Sequence, residues 1–108
     1  MTKIKAKMDI IKKACEDKNG HDLQVLDIRD KTTIADYFVV VSGNSTSQVK
    51  AIYNELIDKM YEAGYELSHR EGHETSKWIL MDYGDIVVHI FHKDERDYYN
   101  IERLWEEN

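Results

Sequence analysis

Ile4, Met8, Ile11 and Cys15 recur at spacings of four, three and four, which predicts a helix with one apolar stripe ending near Asn19-Gly20. Leu23–Ile28 reads as a strand, and Tyr37-Phe-Val-Val-Val41 is a continuous aromatic and β-branched run, the pattern of a strand covered on both faces. Ser45 with Gln48 three places on is a capping box, which satisfies free N–H groups at a helix start. Val49, Ile52, Leu56, Ile57, Met60 and Ala63 continue at helical spacing until Gly64 stops them. Glu66–Glu71 predicts a short strand, and Trp78–Met81 and Ile86–Phe91 predict two strong ones. A last helix starts near Asp94, with Tyr98, Ile101, Leu104 and Trp105 on one side. The order αββαβββα predicts one small α/β domain over residues 1–108, with a mixed sheet of about five strands flanked by helices.

Asp82-Tyr83-Gly84-Asp85 joins the two strong strands as a tight hairpin, with Gly84 where positive φ is needed. With Tyr83-Gly84 as a two-residue loop, Asp82 faces Asp85, Leu80 faces Val87 and Trp78 faces His89. Alternation then puts Trp78, Leu80, Asp82, Asp85, Val87 and His89 on one face, and Ile79, Met81, Ile86, Val88 and Ile90 on a wholly apolar other face. The apolar face belongs against helices. A Trp beside carboxylates is the usual make-up of a binding anchor. Spacing leaves two readings of the mixed face open: a binding surface, or a Trp78 packed under a terminal helix.

Charge sharpens the partner. The chain has 15 basic and 21 acidic residues, a net charge of −6, which disfavours a protein that holds nucleic acid by its phosphates. Residues 1–18 carry six lysines against three acids, a net of +3, so residues 19–108 carry −9. The asymmetry has two readings: a solvated, amphipathic N-terminal helix, or an acidic body that meets a basic partner. No apolar run approaches the roughly 18 residues of a spanning helix. The first residues lack the apolar stretch of a signal peptide, and the single Cys15 has no internal disulfide partner, so the reading places the protein in a reducing cytoplasm.

Candidate chemistry elsewhere is thin. His89, inside an apolar strand, reads as a hydrogen-bonded core residue, and His21, His69, His73 and His92 form no ligand spacing for zinc, so neither metal nor cofactor is expected. Ser42-Gly43-Asn44-Ser45 follows a strand and opens a helix, a place that holds phosphates in other folds, although it lacks the lysine and glycines of a P-loop. An enzyme reading would use Ser42–Ser45 for phosphates and Asp82 and Asp85 for magnesium, as a nucleotidyltransferase does. Its acids stand three apart across a turn, whereas such enzymes place them two apart on a strand.

A set of motifs runs in order: Asp22–Arg29, Ile34–Phe38, Ser42–Ser45, Gln48–Ile52, Arg70-Glu-Gly72, Trp78–Phe91, Arg96-Asp-Tyr-Tyr99 and Leu104-Trp105. This resembles the ribosomal silencing factor family, also called Iojap-like, over nearly the whole chain, with Trp78–Phe91 the most specific piece. Met81 stands where the pattern has an aliphatic residue such as Leu. The resemblance implies a nucleotidyltransferase-like fold without enzyme activity. It also implies binding to protein number fourteen of the large ribosomal subunit, steric block of small-subunit joining when nutrients are scarce, and a role in large-subunit assembly. Carried over by position, the partner-contacting residues would be Trp78, Asp82 and Tyr83, with Leu80, Asp85 and Glu71 beside them. The resemblance further implies self-association, with a homodimer covering part of the apolar sheet face.

Overall fold

The computed structural model describes residues 2–106, and side chains for residues 4–103. Its elements are α1 (Thr2–Asp17), β1 (His21–Asp27), β2 (Tyr37–Gly43), α2 (Thr46–Glu62), β3 (His69–Glu71), β4 (Trp78–Asp82), β5 (Ile86–His92), α3 (Lys93–Tyr99) and α4 (Ile101–Glu106). The five strands form one sheet in the order β1-β2-β5-β4-β3. β2 and β5 run parallel, and every other neighbouring pair is antiparallel. The single small α/β domain with a mixed five-stranded sheet is the predicted one.

The sheet has two cores of unequal extent. α1 and α2 lie together on one face, where Ile11, Cys15, Val49, Ile52, Leu56 and Met60 pack on Val39, Val41, Ile79, Met81, Ile86, Val88 and Ile90. This is the wholly apolar face read from alternation. It is buried within one chain under two helices, so a homodimer does not use it, contrary to the expectation. The other face holds a smaller core of Leu26, Ile28, Ala35, Phe38, Val40, Val87 and Phe91, with Trp78, Leu80 and Ile101 partly buried at its margin. β2 contributes to both cores, which is why its sequence shows no alternation.

Local signals place α2 well. Ser45 caps it, its side chain accepting from Gln48 N at 3.1 Å. The return bond of the box goes one residue further out, from Asn44 N to Gln48 Oε1 at 2.6 Å. The Gln48 amide also donates to Asn19 O at 2.7 Å, tying the start of α2 to the end of α1. At the other end, Gly64 adopts φ +91°, with Gly64 N donating to Tyr61 O and Tyr65 N to Met60 O, a Schellman stop.

Three expectations need correction. The hairpin register is Asp82↔Val87, Leu80↔His89 and Trp78↔Phe91. Tyr83 N donates to Ile86 O at 2.9 Å, so the two-residue turn is Gly84-Asp85, one position later than read. The shift moves cross-strand partners by two residues, which preserves the facing of every strand residue and displaces only those of the turn. The predicted strand 66–71 pairs only from His69 to Glu71. The single last helix is two: Asn100, at φ 50° and ψ 52°, breaks it, a left-handed conformation that Asn tolerates better than most residues. Tyr98 is 81% exposed, its ring set edge-on to Tyr99. The Leu104 and Trp105 side chains of the predicted stripe lie outside the described side chains.

Candidate interaction face

The smaller core covers only part of its sheet face. Toward β4 and β3 the described residues leave the sheet open. Alternation and register bring Trp78, Leu80 and Asp82 of β4 to that open side, with Glu71 opposite Leu80 and His69 opposite Asp82 on β3. Trp78, Leu80 and Asp82 are partly buried, and His69 and Glu71 are exposed. His69 Nε2 and Glu71 Oε2 lie 2.7 Å apart, spanning one side of the edge strand.

Trp78 is the best-held side chain of this face. Its ring lies 4.7 Å from Phe91, centroid to centroid, and 4.8 Å from Tyr99 of α3. Its indole N–H donates to His89 Nδ1 at 3.1 Å. A terminal helix thus covers some of the ring, and Trp78 stays half-buried. His89 is buried and hydrogen-bonded, as expected of a histidine in an apolar strand. Burial pushes its pKa down to about 4. The neutral ring is thus the form present near pH 7, with Nδ1 free of a proton and able to accept.

Asp82 is shaped by the turn. Its Oδ1 accepts from Gly84 N at 2.7 Å, an Asx-type bond that orients the carboxylate at the end of β4. Gly72 fixes the other end of the face. It has φ +83°, and a Cβ there would stand 1.9 Å from Trp78 O, so only glycine lets the chain leave Glu71 and return into β4.

The six sequence-derived contact residues do not form one patch. Trp78, Leu80, Asp82 and Glu71 come together on the open face. Tyr83 does not sit at an exposed tip: it is 4% exposed and belongs to the core on the opposite side. There it borders a groove of 540 Å³ shared with Ile57, Tyr61, Tyr65, Leu67 and Arg70. Burial raises its hydroxyl pKa to about 12. Asp85 is displaced from the Trp78 face by the one-residue shift of the turn. Lys7 of α1 donates to Asp85 Oδ1 at 2.9 Å and to Tyr83 O at 3.2 Å. With its two side chains 14% and 28% exposed, that ion pair fastens α1 to the hairpin.

The same geometry bears on phosphate and magnesium chemistry. Ser42 Oγ accepts from Arg96 at 2.8 Å and Ser45 is occupied in capping. Asp82 and Asp85 are directed at Gly84 N and Lys7, not at a common point. Among the described residues no group of three or more His, Cys, Asp or Glu side chains could hold a metal ion.

Sequence reasoning allowed a terminal helix over Trp78 but did not single out Tyr99 and Arg96 as the residues that place it there. Tyr99 and Arg96 belong to the Arg96-Asp-Tyr-Tyr99 motif, yet no local periodicity tells which strand a short helix will cover. Arg96, 8% exposed, donates to Ser42 Oγ on β2 and to Glu102 Oε2 on α4, the latter at 3.0 and 2.7 Å. That latch holds α3 over the end of β4 and β5.

The model of a family described as "Ribosomal silencing factor during starvation" matches residues 1–108. Ribosomal silencing factor RsfS of Bacillus subtilis is 46% identical over 101 residues, covering 94% of this chain and 86% of the relative. A more distant mouse relative, named for mitochondrial assembly of the ribosomal large subunit, is 30% identical and is 44% covered, against 91% of this chain. In three dimensions, a crystal structure of a Chromobacterium violaceum protein superposes with a TM-score of 0.93 at 39% identity, covering 97% of this chain and 88% of that one.

Proposed function

The chain belongs to the ribosomal silencing factor family, and on that premise we propose that it binds the large ribosomal subunit through protein number fourteen and sterically blocks joining of the small subunit. The observation that carries this reading is the open sheet face: a buttressed, partly exposed Trp78 flanked by Leu80, Asp82 and Glu71. A central aromatic in an apolar surround supplies affinity, and carboxylates pair with Lys and Arg of a basic ribosomal protein. The net charge of −6 suits approach to such a partner and opposes direct capture of RNA phosphates. The role is regulatory, not catalytic, and is exerted in the cytoplasm, repressing translation when nutrients are scarce. The name of the mouse relative supports a second role, in large-subunit assembly. No helix among the described residues is long and apolar enough to cross a membrane. Self-association, where it accompanies this function, takes a surface other than the apolar sheet face.

Co-sedimentation with separated ribosomal subunits tests the reading, followed by addition of the missing subunit. The expected result is binding to large subunits alone and fewer joined ribosomes. Absence of binding to salt-washed large subunits overturns it, and magnesium-dependent nucleotide binding would then be the reading to pursue.

A further inference from the structure

The aromatic contacts of Trp78 do not stop at the sheet. Phe91, Trp78, Tyr99 and Tyr98 form a continuous ladder, with successive ring centroids 4.7, 4.8 and 5.0 Å apart. The ladder climbs from a fully buried ring to Tyr99 at 48% and Tyr98 at 81% exposure. Two large rings at the solvent end of such a ladder cost free energy in the isolated chain, and they sit on a helix that is not loose. Arg96, between them and the start of α3, is clamped to Ser42 and Glu102. The clamp holds the helix that carries the rings, and Tyr99 rests on Trp78, which spares part of the entropy of ordering them on contact. Asp94 and Asp97 stand exposed on the same helix.

We propose that Tyr98 and Tyr99 form a second arm of the docking face, receiving Lys or Arg side chains of the same basic protein that covers Trp78. This rests on the reading above and extends it from the sheet onto α3. Two observations select a basic protein as occupant. The arm is continuous with the Trp78 face through direct ring contact. Its charge is complementary as well: tyrosine faces attract cations, and the neighbouring carboxylates pair with them while repelling phosphates.

The test compares Tyr98→Ala and Tyr99→Ala with Tyr61→Ala in binding to purified large ribosomal subunits. Tyr61 is the internal control: it is 72% exposed on α2, on the opposite side of the sheet. Tyr98→Ala is expected to melt like the wild type and to bind about tenfold more weakly, with Tyr61→Ala unchanged. Tyr99→Ala should lose at least as much. Equal binding by wild type, Tyr98→Ala and Tyr99→Ala overturns this inference and leaves the Trp78 reading standing. An equal loss in Tyr61→Ala overturns it too, since exposure alone would then explain the effect. Wild-type protein that fails to bind large subunits overturns both readings. Tyr98-dependent binding to protein-free large-subunit RNA would replace the basic protein with base stacking.

Discussion

Trp78 donates its indole N–H to Nδ1 of His89 across a diagonal of the β4–β5 pair, at 3.1 Å. The bond links a partly exposed ring to a buried one, 4% exposed, that has no freedom of its own. His89 lies 4.6 Å from Phe38, centroid to centroid, and its Nε2 is buried without a hydrogen-bond partner among the described residues. The histidine is therefore held by packing, and it holds the tryptophan by a hydrogen bond. Of the residues around Trp78, His89 is the acceptor that fixes how the indole lies on the sheet.

A pH dependence follows. His89 is neutral in both folded and unfolded chains above its ordinary value of 6.5, and burial lowers its folded value to about 4. As pH falls from 6.5 through 4, the unfolded chain takes up a proton that the folded chain refuses, so stability declines across that window. The shift corresponds to about 3 kcal/mol. Asp27, whose carboxylate the Arg29 guanidinium holds at about 2 instead of 3.8, adds a loss only below that window. Urea unfolding midpoints measured from pH 7.5 to 4.5 should fall for the wild type and stay nearly level for His89→Phe. An equal decline in both proteins would remove His89 as the cause.

Trp78→Ala should weaken binding to the large subunit by about 2 kcal/mol or more, roughly thirtyfold. The ring is only partly buried, so the fold should survive, as circular dichroism would report. Unchanged affinity in a folded variant would take this face out of the interaction.

Asp82 and Asp85, three residues apart, should behave differently. Asp82 stands on the open face, so Asp82→Lys should slow association most at low ionic strength, where charge acts at the longest range. Asp85 pairs with Lys7, so Asp85→Asn should cost about 1–2 kcal/mol of stability and leave the association rate close to wild type. Stopped-flow association at two salt concentrations, paired with thermal melts, separates the two. The reverse pattern would mean that the turn, not the sheet face, meets the partner.

Gly72→Ala is expected to be more damaging than any of these. The added methyl would have to displace the Trp78 carbonyl at the start of β4, in a backbone conformation that already disfavours a side chain. A loss of several degrees in Tm should accompany an altered tryptophan emission, measured with Trp105 replaced by Phe. An unchanged melt would show that β3 and β4 part readily there. Gly64→Ala makes a useful contrast, because its positive φ meets no neighbour within 4 Å.

What the sequence determined by itself is whatever depends on near neighbours along the chain. The stripe from Ile4 to Cys15, the Ser45 cap, the Gly64 stop and the alternation of β4 and β5 are local patterns, and they specify helices, strands and facing. Facing alone was enough to bring Trp78, Leu80 and Asp82 to one side before any fold was known. Tertiary structure decided what covers what. The turn moved by one residue because Asp85 gains Lys7 from a helix 78 residues away and its carbonyl accepts from Asp36 and Tyr37. Tyr83 went to the opposite core because the later turn keeps it paired with Ile86 at the strand end, its side chain turned away from that of Asp82. The last helix broke at Asn100, and Glu102 meets Arg96, whose remaining partner, Ser42, lies on a strand 54 residues earlier. Such contacts join groups that are remote in sequence, and their free energy depends on burial that no local window contains.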